Sequence, residues 1–197
     1  MLNKTITQLD LSHNRIGNSG ASKLSKFLRH SKIITHLDLG DNNISQGLKI
    51  NKSLKVLNLH LNRIDDKGGM KFCQDLKQHD YSLEEINFRG NSLGGLFARA
   101  LSELILKTTL KKIDISCNFI EKKDAVAILD SLRDNSNIIE FDIRNNKIKE
   151  TEVERKNDDV DLKEIEEIVT KNFLASKNIP YVKRDYDLNM NYEHKEV

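Results

Sequence analysis

The sequence predicts an α/β solenoid, a horseshoe arc in which a parallel sheet lines the concave face and helices cover the convex face. An eleven-residue pattern, L-x-x-L-x-L-x-x-N-x-L with Ile or Phe at some Leu positions, recurs six times. Such recurrence in register is typical of a repeat architecture. Between the copies, apolar residues follow helical spacing. The copies run from Ile6 to Ile16, Ile34 to Ile44, Leu54 to Ile64, Leu83 to Leu93, Leu110 to Ile120 and Ile138 to Ile148.

The asparagine of each copy measures the length of a unit. Successive asparagines are 28, 20, 29, 27 and 28 residues apart. An interval near 28 has room for a strand and a helix of about two to three turns. The interval of 20 does not, so we predict a short second unit without a full helix over Ser45–Ser53. These asparagines are Asn14, Asn42, Asn62, Asn91, Asn118 and Asn146.

The segments between the copies are predicted to be helices, because their apolar residues recur at offsets of three and four. Each begins with a small residue, which lets the helix approach the strand layer. Beyond the sixth copy, a longer apolar stripe predicts an amphipathic helix that caps the last unit. The stripe consists of Val160, Leu162, Ile165, Ile168, Val169 and Phe173.

These motifs resemble the leucine-rich repeat family, in its ribonuclease-inhibitor-like subclass with units of about 28 residues. The resemblance covers roughly residues 2–160. Ribonuclease inhibitors, the activating protein of the GTPase Ran and the sensor ends of NOD-like receptors carry this type. The resemblance implies that the motif Leu and Ile side chains point inward. It also implies that the asparagine amides bond to neighbouring turns in a structural asparagine ladder.

The chain is therefore divided into six repeats over residues 1–160, a capping helix over 161–176 and a tail over 177–197. The tail has no helical period and contains Tyr181, Tyr186 and Tyr192. It is interpreted either as a loosely packed end or as a short docking peptide. Because the first motif begins close to Met1, its edge is exposed, or another chain covers it, or this chain is a fragment.

Composition argues against several classes of function. The 32 basic and 30 acidic residues give a net charge of +2, which provides no case for nucleic-acid or membrane binding. No apolar run is long enough for a signal peptide or a membrane span. Two cysteines without cysteine-rich caps favour a reduced, cytoplasmic location. For a secreted effector, this would be the host cytosol.

The sequence also argues against catalysis, cofactors and metals. It contains no Ser-His-Asp order and no phosphate-binding glycine loop. The six histidines have no metal-site spacing. His36 and His60 lie on neighbouring strands but at different positions of the motif, so we interpret them as surface histidines.

Side chains between the inward Leu positions are expected on the concave face, because strand side chains alternate. The middle position of each copy is Asp10, Asp38, Asn58, Asn87, Asp114 or Asp142. This acidic row is either ordinary family sequence or a surface for a basic partner, flanked by Arg89 and Arg144. The predicted partner-binding residues are Asp38, Asn58, His60, Asn87, Arg89, Asp114, Asp142 and Arg144.

We therefore expect a protein–protein interaction module that binds through the concave face and the strand-end loops. One candidate partner is a protein with a basic surface. Two alternatives stay open. The first is a GTPase activator of the Ran-activator type, with Arg15, Arg63 and Arg89 at the strand-end edge. The second is a bacterial effector that engages a host protein. The sequence indicates neither the partner nor the oligomeric state.

Overall fold

The structure, a computed structural model, describes residues 3–45, 50, 52–79, 81–148 and 162–177. Within them, strands and helices follow one another along the chain. The strands are β1 (Gln8–Asp10), β2 (His36–Asp38), β3 (Val56–Asn58), β4 (Glu85–Asn87), β5 (Lys112–Asp114) and β6 (Glu140–Asp142). The helices are α1 (Gly17–His30), α2 (Asp66–Gln78), α3 (Gly95–Ile105), α4 (Lys122–Arg133) and α5 (Leu162–Ser176).

The six strands form one parallel sheet in sequence order, and equivalent motif positions pair across it. The central residue of each inner strand points to the helices and is buried, as Leu37 and Ile113 illustrate. Its two neighbours point to the opposite face, which we call the open face. The predicted α/β solenoid is confirmed, since each motif forms a strand and the longer units add a helix.

The helix layer is continuous from α2 to α5. Helix α2 packs on α3, α3 packs on α4, and α5 contacts α4 and β6. The ring of Phe88 meets those of Phe72 and Phe97 edge to face, with centroids 5.4 Å apart in both pairs. Asp66 at the start of α2 accepts hydrogen bonds from Gly94, Leu96 and Phe97, and so supplies the N-terminal cap that α3 lacks.

The described residues of the second unit contribute no helix to this layer. Among the described residues between β2 and β3, none is helical; residues 46–49 and 51 lie outside the description. Helix α1 packs on no other helix in the described ranges. A cleft of about 240 Å³ opens between α1 and α2, and it is lined by Ser25, Arg29, Ile50, Asp75, His79 and Tyr81.

The motif asparagines connect neighbouring turns. Asn62 illustrates the pattern: its amide nitrogen donates to the carbonyl of Leu39 at 2.8 Å, and its oxygen accepts from the N–H groups of Asn42 and Ile44. Asn42, Asn91, Asn118 and Asn146 each bond to adjacent units in the same way. Asn14 differs, because it is exposed and its amide donates to its own unit, at Leu11 and Ser12.

The residue before each asparagine adopts a left-handed backbone conformation. Its φ lies between 50° and 69° in all six units. Only one of these residues is a glycine, Gly90, although side chains disfavour this conformation. His, Asp and Asn adopt this conformation more readily than other side chains. Leu61 and Cys117 do not, so backbone hydrogen bonds rather than residue preference hold their two turns. The six residues are His13, Asp41, Leu61, Gly90, Cys117 and Asn145.

Helix α5 covers the sixth unit, and two kinds of contact hold it there. Ile165 and Val169 are buried, and Asn172 donates to the carbonyls of Asn135 and Ile138, each at 2.9 Å. At the surface, Arg133 of α4 forms a bidentate ion pair with Glu164, with N–O distances of 2.7 and 2.9 Å.

The two ends of the sheet differ in burial. At the first unit, Leu9 and Leu11 are only partly buried, and Ile6 is 47% exposed. At the sixth unit, Ile138 and Ile143 are buried beneath α5. The tail predicted over residues 177–197 lies outside the described residues except for Lys177, so its interpretation stays a prediction.

Replacing a central ladder asparagine should destabilise the protein far more than replacing the first one. We expect Asn62→Ala to lower the free energy of unfolding by more than about 2 kcal/mol, since each buried backbone group left unpaired costs about 1–3 kcal/mol. Asn14→Ala should cost less than about 1 kcal/mol, because its exposed partners can bond to water. Urea unfolding measures both, and equal losses would contradict a stabilising role of the bonds between units.

The attachment of α5 should depend more on Asn172 than on the ion pair. Asn172→Ala leaves two buried carbonyls short of a donor, at a cost of about 1–3 kcal/mol, whereas Glu164→Gln weakens an exposed pair. Hydrogen bonds from Arg133 lower the pKa of Glu164. The stabilisation from Glu164 is thus present above the usual glutamate range and is lost as the pH falls through the lowered pKa. Urea unfolding at neutral and acid pH tests this. A greater loss of unfolding free energy with Glu164→Gln than with Asn172→Ala would contradict the prediction.

Candidate interaction surface

The open face consists of three columns of side chains that run across the strands. The first column is Gln8, His36, Val56, Glu85, Lys112 and Glu140. The middle column is Asp10, Asp38, Asn58, Asn87, Asp114 and Asp142. The third column is Ser12, Gly40, His60, Arg89, Ser116 and Arg144. All eight predicted partner-binding residues lie in the middle and third columns, and each is partly or fully exposed.

The middle column has a structural role in every unit. In each, the side-chain Oδ1 accepts a hydrogen bond from the backbone N–H two residues later, at 2.8–3.1 Å. These N–H groups lie just beyond the strands, where the chain turns. Asp and Asn both present an oxygen at this reach, which explains why both occur in the column. The sequence interpretation missed this role, although its signal was visible: six of six residues are Asp or Asn.

The acids of the middle column form two pairs rather than a continuous row. Asp10 pairs in register with Asp38, Asp114 pairs with Asp142, and two asparagines separate the pairs. The second oxygen of Asp38 accepts from Asn58 at 2.8 Å. Each charged pair therefore includes a carboxylate that is already bonded on both oxygens, Asp142 being the other.

Arg144 partly neutralises the negative charge of the second pair, Asp114 and Asp142. Its Nε and Nη2 bond to the two oxygens of Asp142, at 3.0 and 2.6 Å. These bonds lower the pKa of Asp142 and raise that of Arg144. Arg89 differs, since its guanidinium makes one long hydrogen bond, 3.4 Å to the hydroxyl of Ser116. Arg89 is thus the better-placed of the two arginines to bind an incoming group.

The first column contains three charged side chains that pair with one another across adjacent strands. Lys112 Nζ lies 3.3 Å from Glu85 and 3.5 Å from Glu140 on the adjacent strands. Hydrogen bonding to Glu85, and more weakly to Glu140, raises the pKa of Lys112. Both glutamates lie on the same side of the sheet as the acidic pairs, so the open face is net negative.

His60 does not meet His36, the histidine with which the sequence interpretation compared it. His36 instead bonds to Thr35, with 2.8 Å between Nδ1 and the hydroxyl. The ring of His60 lies 6.2 Å from that of His13, centroid to centroid. The sequence interpretation missed His13, which belongs to the strand-end turn and not to the columns.

The strand-end turns expose further side chains. Leu61 and Phe119 are 53% and 51% exposed, and Lys147 lies 5.0 Å from the ring centroid of Phe119. Arg15 and Arg63 are also exposed, each directly after its ladder asparagine. Arg89 precedes its ladder asparagine by two residues, so these three arginines do not occupy one equivalent position of the repeat.

The described part of the chain contains no cluster of three or more His, Cys, Asp or Glu side chains arranged to hold a metal. Cys73 is buried, and burial raises the pKa of its thiol. Among the helices that the structure describes, none has the length and apolar character needed to cross a membrane.

Comparison with known proteins identifies the repeat. The family model described as "Leucine Rich repeat" matches residues 2–25, 30–46 and 51–73, which contain the first three motifs. The geometry of all six units, with a strand, a left-handed turn and a bonded asparagine in each, continues the pattern beyond the matched residues. The six units form a leucine-rich repeat solenoid. The ribonuclease-inhibitor-like subclass stays a prediction.

Several curated proteins are similar to this leucine-rich repeat chain. The mouse (Mus musculus) NACHT, LRR and PYD domains-containing protein 12 is 27% identical over 141 residues. The mouse NACHT, LRR and PYD domains-containing protein 5 is 28% identical over 145 residues, and human (Homo sapiens) protein 14 of this series is 26% identical over 141.

These alignments cover 66–68% of this chain but 12–13% of each relative. The chain thus spans about an eighth of the length of the curated relatives that it matches. The names of these relatives include LRR, the abbreviation of leucine-rich repeat, and this likeness supports a role in protein interaction.

Two replacements of Asp114 should distinguish the stabilising effect of its hydrogen bond to the backbone from the effect of its charge. Asp114→Ala removes the acceptor of the Ser116 N–H, which is buried, so we expect a loss of about 1–3 kcal/mol in the free energy of unfolding. Asp114→Asn keeps the acceptor and should stay within about 0.5 kcal/mol of the wild type. Urea unfolding of both variants is the measurement, and an equal loss in the two would show that charge rather than the cap is important.

Proposed function

We propose that this leucine-rich repeat chain is a non-catalytic module that binds another protein through its open face and strand-end turns. The observation that supports this is the division of roles among the columns. The middle column is occupied with backbone caps, whereas the first and third columns vary freely in size and charge. Specificity therefore resides in the third column and in the turns, where His60, Arg89 and Arg144 project.

The charge of the face favours a partner with a basic surface. The three columns contain six carboxylates and three fixed cations. The carboxylates belong to Asp10, Asp38, Glu85, Asp114, Glu140 and Asp142, and the cations to Arg89, Lys112 and Arg144. Complementary charge raises the rate of encounter and the specificity more than it raises affinity. A location in the cytoplasm is part of this proposal, as the sequence predicts.

The first test compares two faces of the solenoid. An immobilised chain is used to capture proteins from a lysate of the source cells, and the bound proteins are quantified by mass spectrometry. A variant with His60→Ala and Arg89→Ala should lose the specific partner. A control with Lys71→Ala and Lys107→Ala, both exposed on the helix side, should retain it. A partner lost only from the control variant would place binding on the helix side.

The second test concerns charge and uses the captured partner in purified form. We expect Asp10→Asn with Asp114→Asn to weaken binding and to reduce its dependence on salt, since screened attraction between opposite charges is removed. Asparagine is preferred to alanine here because it keeps the backbone caps. An unchanged salt dependence would exclude a basic partner while leaving the first test valid. A rise in GTP hydrolysis by the captured partner would instead favour the GTPase-activator alternative.

A further inference from the structure

Two histidines from non-adjacent units meet above the second strand. His13 follows β1 and His60 follows β3, yet their ring centroids are 6.2 Å apart and the rings are inclined at 78°. Gly40 of the intervening unit allows this approach. A Cβ added to Gly40 would overlap the imidazole of His60, so the ring occupies the space that a side chain would fill.

Hydrogen bonds fix the tautomer of His60. Its Nδ1 lies 2.9 Å from the amide oxygen of Asn58. The orientation of this amide is determined by its other contacts, because its nitrogen donates to Asp38 and its oxygen accepts from the His60 N–H. An amide oxygen only accepts, so Nδ1 carries the proton. The lone pair of Nε2 is then available.

His13 is arranged in the same way by a carboxylate. Its Nδ1 lies 3.2 Å from Oδ2 of Asp41, the residue at the equivalent turn of the next unit. A carboxylate bonded to Nδ1 orients the ring, as in the outer shell of many metal sites. Both imidazoles thus have one nitrogen held by an acceptor and the other free to bind a cation.

We propose that His13 and His60 bind one divalent transition-metal ion, Zn²⁺ in the first instance, through their Nε2 atoms, with water completing the coordination. Imidazole is a preferred ligand of this class of ion. With Zn–N distances of about 2.0–2.1 Å, the ring centroids of two imidazoles on one tetrahedral ion lie roughly 5 Å apart. The rings must therefore approach by roughly 1 Å. The His13 side chain is 68% exposed, which leaves it room to rotate.

The other described histidines lack this arrangement. His30 and His79 lie at the ends of α1 and α2, where Nδ1 bonds to a carbonyl of the preceding helical turn. His36 bonds to Thr35. The ring of His79 has Tyr81 beside it, with centroids 5.7 Å apart, rather than a second imidazole. His30 and His79 are therefore matched controls, each with an oriented ring but without a partner ligand.

Binding should link the first and third units across the short second unit. A ligand that binds the folded state and not the unfolded state stabilises it in proportion to ligand concentration. The two histidines are brought together only by folding, so Zn²⁺ should raise the melting temperature of the wild type. This effect is independent of any protein partner.

The test is a calorimetric titration of the chain with Zn²⁺, with thermal unfolding measured in parallel. We expect the wild type to bind one equivalent of Zn²⁺. Binding should be at least about tenfold weaker in both His13→Gln and His60→Gln. His30→Gln and His79→Gln should bind as the wild type does. Mg²⁺ and Ca²⁺ should not compete, because these ions prefer oxygen ligands.

Gly40→Ala provides a variant that keeps both histidines but displaces one ring. Binding of Zn²⁺ should be lost, and the rise in melting temperature with it, while circular dichroism checks that the variant folds. If Gly40→Ala does not fold, the two histidine variants decide. The proposal is overturned if the wild type binds no Zn²⁺, or if binding survives unchanged in either His13→Gln or His60→Gln.

Discussion

The backbone N–H and C=O groups in the turn after each strand need hydrogen-bond partners. The rest of this structure depends on that requirement. The turns stack on one another, and in the inner units their backbone groups are buried by the neighbouring units, so water cannot satisfy them. The asparagine amide meets this requirement because it both donates and accepts, and it bonds to its own unit and to the preceding one. The strand spacing, the left-handed residue before each asparagine and the inward direction of the following Ile or Leu all depend on this amide.

The same requirement affects the surface that faces away from the core. The N–H just beyond each strand points along the sheet, and the middle column supplies its acceptor. A residue such as Asp114 is therefore constrained by the backbone and also contributes charge to the open face. The column tolerates exchange between Asp and Asn but has no freedom beyond this, which leaves the third column as the position where units can differ. Structural and recognition roles thus belong to positions only two residues apart along the chain.

Much of the fold follows from local periodicity and could be predicted. The motif Leu positions predicted the strands, and the apolar spacing between and after the motifs predicted the described helices. The short second unit without a full helix stays a prediction. Contacts between units could not be predicted from one motif alone. Asp66 caps the next helix rather than its own, and the approach of His13 to His60 depends on Gly40 in the second unit, which lies between theirs. Such contacts join residues from different positions of the repeat, which a comparison of equivalent positions does not bring together.

The lack of a described helix beside α1 has a consequence for cooperativity. In a linear array, the stability of each unit depends on the interfaces with its neighbours. The first unit is joined to the second through strands and turns, but α1 has no helix beside it in the described ranges. Its opening therefore breaks fewer contacts than the opening of an inner unit. A ligand that touches Asp10 together with Arg89 must order this weakly coupled end, and part of its binding energy is used in that ordering.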